Sequence, residues 1–381
     1  MRILWHGVKS IIKTGYGNQT RLMLPRIRDL GHEVAINAII DQYQTGIDEN
    51  GIVNFACGPN SQMMGNDFLD GHVERFNPDI VISMCDPFVC KPEKFEKVNW
   101  YPFVMVDSEP LLWENAEVLK ACKRPIAPTR HAEKMLKDAG FDPYYVPLAV
   151  DMDVFKPMDR EQARADMGKV WGVNLTGRYV VVMNSANHST PSRKNFAAAF
   201  KAFAMFEKDH PEALLYVHAD ISGKVYPGED LLKIADLYGI KSLAFAPQYE
   251  YNCGMIGDDY MVKMYNAADV FLHSARGEGF GLPIVEAQAC GTTVVVPNFG
   301  SMAELCTDDG YAASGQKWMY HSGTEQFLVD YDVLCDCLSW AFGKKPIRAD
   351  HRKVQPYHVA TVIDTFEDVL IDIEKELADA A

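Results

Sequence analysis

Short apolar runs alternate with amphipathic stretches along most of the 381 residues. The runs 2-RILWH-6, 33-EVAINAII-40, 79-DIVISM-84, 102-PFVMVD-107 and 125-PIAPT-129 are apolar almost throughout, which predicts strands buried on both faces. Helical stretches such as 17–30 and 130–139 lie between them, the second stopping at Gly140, a residue suited to a left-handed turn. The pattern lapses over 151–178, which is polar, carries Pro157 and predicts a linker with one short helix. It restarts with 178-RYVVVMN-184, then a helix from Asn195 to about His210, 213-ALLYVHA-219, a helix over 231–238, 242-SLAFAP-247, a helix near 258–268, 269-DVFLHS-274 and 292-TTVVVP-297. Near the end, Val359, Val362, Ile363, Phe366, Val369, Leu370, Ile373 and Leu377 form a helical stripe.

Strands alternating with helices predict parallel α/β units. A chain of this length exceeds one core, since cores stop growing near roughly 250–300 residues. Two Rossmann-like, doubly wound domains are therefore expected, over 1–155 and 156–354. Two such open sheets create a cleft, and ligands bind beyond the carboxyl ends of their strands.

Composition narrows the partners. Apolar residues at 48% and charged residues at 23% are those of a soluble globular protein. No apolar run approaches the ~18–20 residues of a membrane span, and the N-terminus lacks the apolar core and cleavage site of a signal peptide. Nine cysteines without a CxxC pair point to core thiols, a reducing cytoplasm and no structural metal. The net charge of −15 argues against a polyanionic partner. It is uneven, however: residues 1–150 carry 16 Lys and Arg against 19 Asp and Glu, and residues 151–381 carry 21 against 33. Lys9, Lys13, Arg21, Arg26 and Arg28 crowd the first loop and helix, as a solvated face or a binding patch.

The stretch 274-SARGEGFGLPIVEAQACGTTVVVP-297 places carboxylates either side of a glycine-rich turn between a strand and a helix. Pro283 suits the first helical position, and no Ser, Thr, Asp or Asn at 281–282 caps the helix. Its first N–H groups need another partner, which an anion supplies. Glu286 is expected in the first turn, able to accept two sugar hydroxyls or merely to favour the helix dipole. Glu278 is expected in the loop, at the mouth of the cleft.

The run EGFGLPIVEAQACG resembles the signature of retaining glycosyltransferases of family 4, which have the GT-B fold of two Rossmann-like domains facing across a cleft. The longer stretches 265–295 and 126-IAPTRHAEKMLKDAGFDPYYVPLAVDMDVFKP-157 are similar to that family in order and spacing. The last helix, about 355–381, fits the family habit of crossing back onto the first domain, and the resemblance implies that 1–155 is the acceptor-side domain and 156–354 the nucleotide-sugar-binding domain. The resemblance implies that Glu286 binds the nucleotide ribose, that Glu278 lies near the donor sugar, and that the backbone of Gly279, Phe280, Gly281 and Leu282 lies near the diphosphate and sugar. Arg193 and Lys194 match a basic pair before the first helix of the second domain, with Lys194 on the diphosphate. Gly15 and Gly17, in 14-TGYGNQT-20, match a glycine loop over the donor phosphates. Two departures stand out. The arginine usual after the strand of Val180–Asn184 is missing from 184-NSANHSTPS-192, leaving Arg193 or Arg276 to take its load. The histidine usual after 102–107 is replaced by 107-DSE-109, which makes Asp107 the candidate substitute.

The resemblance thus implies metal-independent transfer of a sugar from a nucleoside-diphosphate sugar, with a UDP-sugar expected, to a glycan or carrier-linked hydroxyl. Fixed N–H groups and cations at the leaving phosphate suit that chemistry. Transfer to a modified DNA base is the alternative, and a non-catalytic sugar-nucleotide-binding protein the third reading. Asp151 and Asp153 have the spacing of a metal-binding pair but sit in a passage that reads as structural. Gly15 and Gly17 without a third glycine make a poor dinucleotide fingerprint. His6 reads as a core histidine, and His188 as a residue of the loop facing the cleft. Base contacts are expected near 248–251. Trp113, Trp318 and Tyr320 read as packing residues or, near the cleft, as rings that stack on a base or sugar.

Overall fold

The computed structural model describes residues 1–40, 44–58, 63–225, 227–321, 323–344 and 348–380. The chain forms two compact units: Met1–Val150 with the C-terminal stretch from Pro356, and Asp151–His321 with Glu325–Gln355.

The first unit is an eight-stranded sheet of β1 (Arg2–Gly7), β2 (Glu33–Ala38), β3 (Gly46–Ile47), β4 (Val53–Phe55), β5 (Ile80–Met84), β6 (Trp100–Phe103), β7 (Ile126–Ala127) and β8 (Tyr144–Tyr145). Their order is β3-β4-β2-β1-β5-β6-β7-β8, parallel except for the β3–β4 pair. The apolar runs become strands because both faces are covered: Ile3, Leu4, Trp5, Ile80, Val81 and Ile82 are wholly buried. The helix Gly15–Asp29 follows β1, with Thr14 as its N-cap. Within it, the Gln19 amide donates to Ala149 O at 2.9 Å and accepts from Ala149 N at 2.8 Å, fastening the end of the unit to its start. The last helix, Val359–Ala380, lies on this unit, where Phe366 meets Phe103 with ring centroids 5.9 Å apart. Residue 381, the end of the stretch expected to be helical, lies outside the described residues.

The second unit is built on β9 (Tyr179–Asn184), β10 (Ala213–His218), β11 (Leu243–Phe245), β12 (Val270–Leu272), β13 (Thr293–Pro297) and β14 (Tyr311–Ala313), in the order β11-β10-β9-β12-β13-β14. All its pairings are parallel. A separate two-stranded sheet joins β15 (Gly315–His321) and β16 (Thr324–Val329). The helix Phe196–Asp209 sets Phe196, Phe200, Phe203 and Phe206 on one face, and all four are buried. Burying such a ring contributes roughly 1.5–3 kcal/mol each.

The structure corrects several sequence expectations. Pro283 is the second residue of the helix Leu282–Ala289, not the first, and Glu286 is the fifth, in the second turn. The strand expected over 102–107 begins earlier and ends at Phe103. Trp113, Trp318 and Tyr320 are not packing residues: they are 57%, 58% and 54% exposed. No strand was expected at β3, β4 or β8, and no helix or strand between Pro297 and the final helix.

One polar knot ties the second unit together. The Asp269 carboxylate accepts from Val180 N at 2.7 Å and pairs with Arg160 and, at 3.3 Å, with Arg164. Arg164 also donates to Ala267 O, Leu175 O and Arg178 O. Removing one partner of a buried pair leaves an uncompensated charge, so Asp269→Ala is expected to lower the unfolding free energy by roughly 3–5 kcal/mol. Urea denaturation measures it, and a loss under 1 kcal/mol contradicts the role.

Candidate active site

The strand order of the second unit is a doubly wound sheet that reverses between β9 and β12. Loops following the two strands either side of such a reversal diverge and leave a crevice where ligands bind. Here those loops carry Arg193 and Lys194 on one side and Glu278 on the other.

The first loop ends in a tight turn. Asn195 N donates to Ser192 O at 3.0 Å and Lys194 N to Ser192 Oγ at 3.2 Å. Asn195 adopts a left-handed conformation, φ 53°, and starts the helix Phe196–Asp209. The second loop is laced to it: Ser274 Oγ donates to Lys194 O at 2.9 Å and Asn195 O at 3.1 Å, and Arg276 N to Arg193 O at 2.9 Å. Ser301 Oγ holds the backbone carbonyl of Glu278 at 2.7 Å.

This lacing brings three side chains onto one carboxylate. Lys194 Nζ donates to Glu278 Oε1, which also accepts from His273 Nε2 at 3.0 Å. Arg193 Nη1 reaches Glu278 Oε2 at 3.3 Å and also donates to Gly277 O. Glu278 is therefore not at an open loop mouth as expected; its side chain is 10% exposed, against 16% for Lys194 and 31% for Arg193. Burial alone would raise the Glu278 carboxyl, but Lys194, then Arg193 and the His273 hydrogen bond, hold it well below the usual carboxylate range. His273 is pushed down by burial, against the pull of Glu278, and so is neutral at pH 7. A neutral ring donating from Nε2 leaves Nδ1 as an acceptor, and Nδ1 has no partner among the described residues. The cluster then carries one net positive charge, with two cations facing one anion.

Beyond Glu278 the chain turns through Gly281 at φ 117°, a conformation that favours glycine. The helix Leu282–Ala289 begins there with no side-chain cap. Gly279 and Leu282 are half-buried and Phe280 is buried. The Glu286 carboxylate accepts from Tyr265 Oη at 2.8 Å, and Tyr265 Oη accepts from Asn184 Nδ2 at 2.8 Å. Burial, then Glu286, raises the Tyr265 phenol well above its ordinary value, so it stays a donor.

The remaining candidates fall into two groups. Gln248 is spent on backbone: it accepts from Ile221 N at 3.0 Å and donates to Ala219 O and Ala246 O. His188 is exposed in the loop after β9. In the first unit, Gly15 and Gly17 are in the first turn of a helix rather than a free loop, and a Cβ on Gly17 would stand 2.1 Å from Ile12 O. Asp107 is half-buried four residues beyond β6. Of Lys9, Lys13, Arg21, Arg26 and Arg28, only Lys13 is exposed; Arg26 donates to Leu22 O, and Arg28 binds Asp29 and Asn50 O. That is local helix-end chemistry, and no row of free cations results.

Asp151 and Asp153 are not brought together with further metal donors. Among the described residues, the grouping with donor atoms close enough for a metal is His6, Cys85 and Cys90, all buried. The Cys85 thiol is pushed well up by its hydrogen bond with Cys90 and by burial, so the pair is a neutral core contact at 3.8 Å. His6 is likewise a core residue, with Nδ1 2.6 Å from the Asn37 amide. All nine cysteines are free. No helix among the described residues is long and apolar enough to cross a membrane.

Sequence reasoning missed His273, Tyr265, Asn184, Ser274 and Ser301. His273 and Ser274 end the run DVFLHS, where a polar pair closing an apolar strand was the available signal; the others carried none.

Residues 172–329 match the family described as glycosyl transferases group 1. The match spans strands β9 to β16. D-inositol 3-phosphate glycosyltransferase of Mycobacterium leprae is 30% identical over 183 residues, 46% of this chain and 38% of that protein. The chain spans less than half the length of such curated relatives. Sucrose-phosphate synthase of Thermosynechococcus elongatus has the same fold, with a TM-score of 0.75, 14% identity and coverage of 99% of this chain and 100% of that one. HepE of Anabaena, in complex with UDP and glucose, gives 0.70 and 14% over 98% and 100%. The fold is thus GT-B, as the sequence implied.

At this site, Glu278→Gln leaves Lys194 and Arg193 without their counter-charge. Unfolding free energy at pH 7 is expected to fall by roughly 1–3 kcal/mol. A carboxyl held down by folding stabilises fully above its ordinary value, 4.5, and loses that contribution as pH falls through its lowered one. The gap between wild type and variant should therefore narrow in acid. Urea denaturation between pH 7 and 3 tests this, and a gap that widens in acid contradicts it.

Proposed function

We propose that the chain is a retaining, metal-independent glycosyltransferase that moves a sugar from a nucleoside-diphosphate sugar to an acceptor hydroxyl. The observation that carries the reading is the Lys194–Glu278–Arg193 cluster at the sheet reversal, beside a helix that starts without a cap. In the reaction, the bond between the anomeric carbon and the β-phosphate oxygen breaks as the acceptor oxygen bonds the same carbon from the same face. The acceptor proton passes to the departing phosphate. Negative charge grows on that phosphate, and cations already fixed in place stabilise it more than they stabilise the bound donor.

Lys194 and Arg193 hold the diphosphate, with the backbone of Gly279, Phe280, Gly281 and Leu282 approaching it. Glu278 stays ionised throughout, so its part is to hold both cations and face the sugar, not to donate a proton. Glu286, steadied by Tyr265, takes the ribose hydroxyls. A UDP-sugar donor is favoured, because HepE of Anabaena is similar in fold and was solved with UDP and glucose. Gly15, Gly17 and Asp107 belong to the other unit and are assigned to the donor phosphates and to the place of the usual histidine. The glycan or carrier acceptor is favoured over DNA, since Arg26 and Arg28 of the first helix are committed locally and the net charge is −15. Nine free thiols fit a reducing cytoplasm.

A panel of nucleotide sugars scored by thermal shift identifies the donor, because a ligand stabilises in proportion to its affinity and concentration. With that donor, Lys194→Ala is expected to lower kcat by about 10²–10³ while keeping a cooperative unfolding transition. A chelator should leave the wild-type rate unchanged. Full activity in the variant, or a rate that collapses with chelator and returns with manganese, overturns the mechanism.

A further inference from the structure

The sheet of the first unit also reverses direction, between β1 and β5. Ligands of open α/β sheets lie beyond the carboxyl ends of the strands at such a reversal. His6 is the last residue but one of β1, and Cys85 follows β5 directly. The chain then makes a short turn over Pro87–Val89, in which Cys90 N donates to Pro87 O at 2.9 Å, and the turn brings Cys90 back to Cys85. Buried Asn66 clamps it: its amide donates to Val89 O at 2.9 Å and accepts from Lys91 N at 3.0 Å. The result is a C-x4-C pair beside a histidine, a spacing that zinc sites use.

The three side chains are set for one ion. A ring nitrogen of His6 and the two sulfurs lie within 4.8 Å of one another, and the sulfurs are 3.8 Å apart. Two thiolates on one tetrahedral zinc, each with a bond of about 2.3 Å, stand about 3.8 Å apart. His6 is wholly buried; its Nδ1 faces the Asn37 amide at 2.6 Å, and its Nε2 has no hydrogen-bond partner among the described residues. A buried ring nitrogen left over is costly unless something binds it. Metal-bound histidines hold their second nitrogen against a carbonyl or carboxylate. Asn37 meets that need: the far end of its amide lies 2.6 Å from His72 Nδ1, so the amide turned end for end gives its oxygen to His6 and its nitrogen to His72.

We propose that His6, Cys85 and Cys90 form a structural site for one zinc ion. Without an ion both thiols are neutral. On binding, each releases its proton to water, the two sulfurs and His6 Nε2 bond the zinc, and a water takes the fourth tetrahedral position. Charge selects the ion. Two thiolates and a neutral imidazole cancel the charge of a divalent cation, whereas copper(I) would leave a net negative charge in an apolar cluster that includes Leu4, Phe95 and Trp100. The zinc pins the loop after β5 to β1. Asp86 in that loop accepts from Tyr16 Oη at 2.9 Å, so the start of the helix Gly15–Asp29 is held with it. The ion takes no part in sugar transfer: Lys194, Arg193 and Glu278 belong to the other unit, and manganese prefers oxygen ligands to thiolates.

The test uses the full chain, produced with zinc in the medium and purified without chelator, histidine tag or added thiol. Elemental analysis is expected to find about one zinc per chain. Cys85→Ser and Cys90→Ser should each lower that content by about tenfold or more, and Cys253→Ser, at an exposed thiol elsewhere, should leave it unchanged. Should the first two variants fail to fold, the wild type still decides the matter. Refolded from urea with cobalt(II), it should show thiolate-to-cobalt charge transfer and tetrahedral visible bands that saturate at about one equivalent and vanish when zinc is added. Asn37→Ala should weaken zinc binding by about ten- to a hundredfold and keep the thiolate–cobalt band. The proposal is overturned if the wild type neither carries zinc nor gives that band, if the zinc content survives both cysteine substitutions, or if the intact mass of the purified chain shows Cys85 and Cys90 joined as a disulfide.

Discussion

The second unit depends on the lacing of two loops where its sheet reverses direction. Ser274 and the Arg276 amide hold the backbone of residues 193–195, so the cations and the carboxylate arrive already facing each other. Without those bonds, Lys194 and Arg193 would be long, mobile side chains at the end of a loop. A preorganised charge costs no reorganisation when the reaction occurs, and this is where most electrostatic catalysis originates. The same arrangement explains why a carboxylate sits among the cations at all. Glu278 keeps two like charges together in the absence of ligand, at a site that still has positive charge to offer.

The neighbouring polar groups support this indirectly. Neutral His273 contributes a hydrogen bond without adding a third cation, because burial outweighs the attraction of Glu278. Tyr265 bridges Asn184, at the end of β9, to Glu286, on the helix after the glycine turn. The carboxylate of Glu286 is thus referenced to the same central strand that supports the cation loop. Groups from three segments thus share one rigid base, the pair β9 and β12.

Much of this was legible in the sequence. Strands buried on both faces write themselves as apolar runs, and β1, β5, β9, β10 and β13 were found within two residues of their ends. Lys194, Arg193, Glu278 and Glu286 were legible through one motif and one basic pair. Their pairing was not, because Lys194 and Glu278 are 84 residues apart and meet only through the strand order. Glu286 was placed one turn early, since nothing in the residue types shows that Leu282, ahead of the proline, already belongs to the helix. The two-stranded sheet escaped notice because 315-GQKWMYH-321 exposes large apolar side chains, which breaks the alternation that marks a half-buried strand. Trp318 and Tyr320 looked like core for the same reason.

Gly281 has an evolutionary implication. Its φ of 117° is strained for any residue with a side chain, and a Cβ there would stand 3.1 Å from the Ile284 methyl. Departing from the left-handed preference of glycine costs roughly 1–2 kcal/mol before any contact is counted. A lineage that loses this glycine must therefore shift the Ile284 methyl by a few tenths of an ångström and absorb backbone strain at once. Single-step drift is closed at this position, and neighbouring sites such as Leu282 are freer to wander around a fixed hinge.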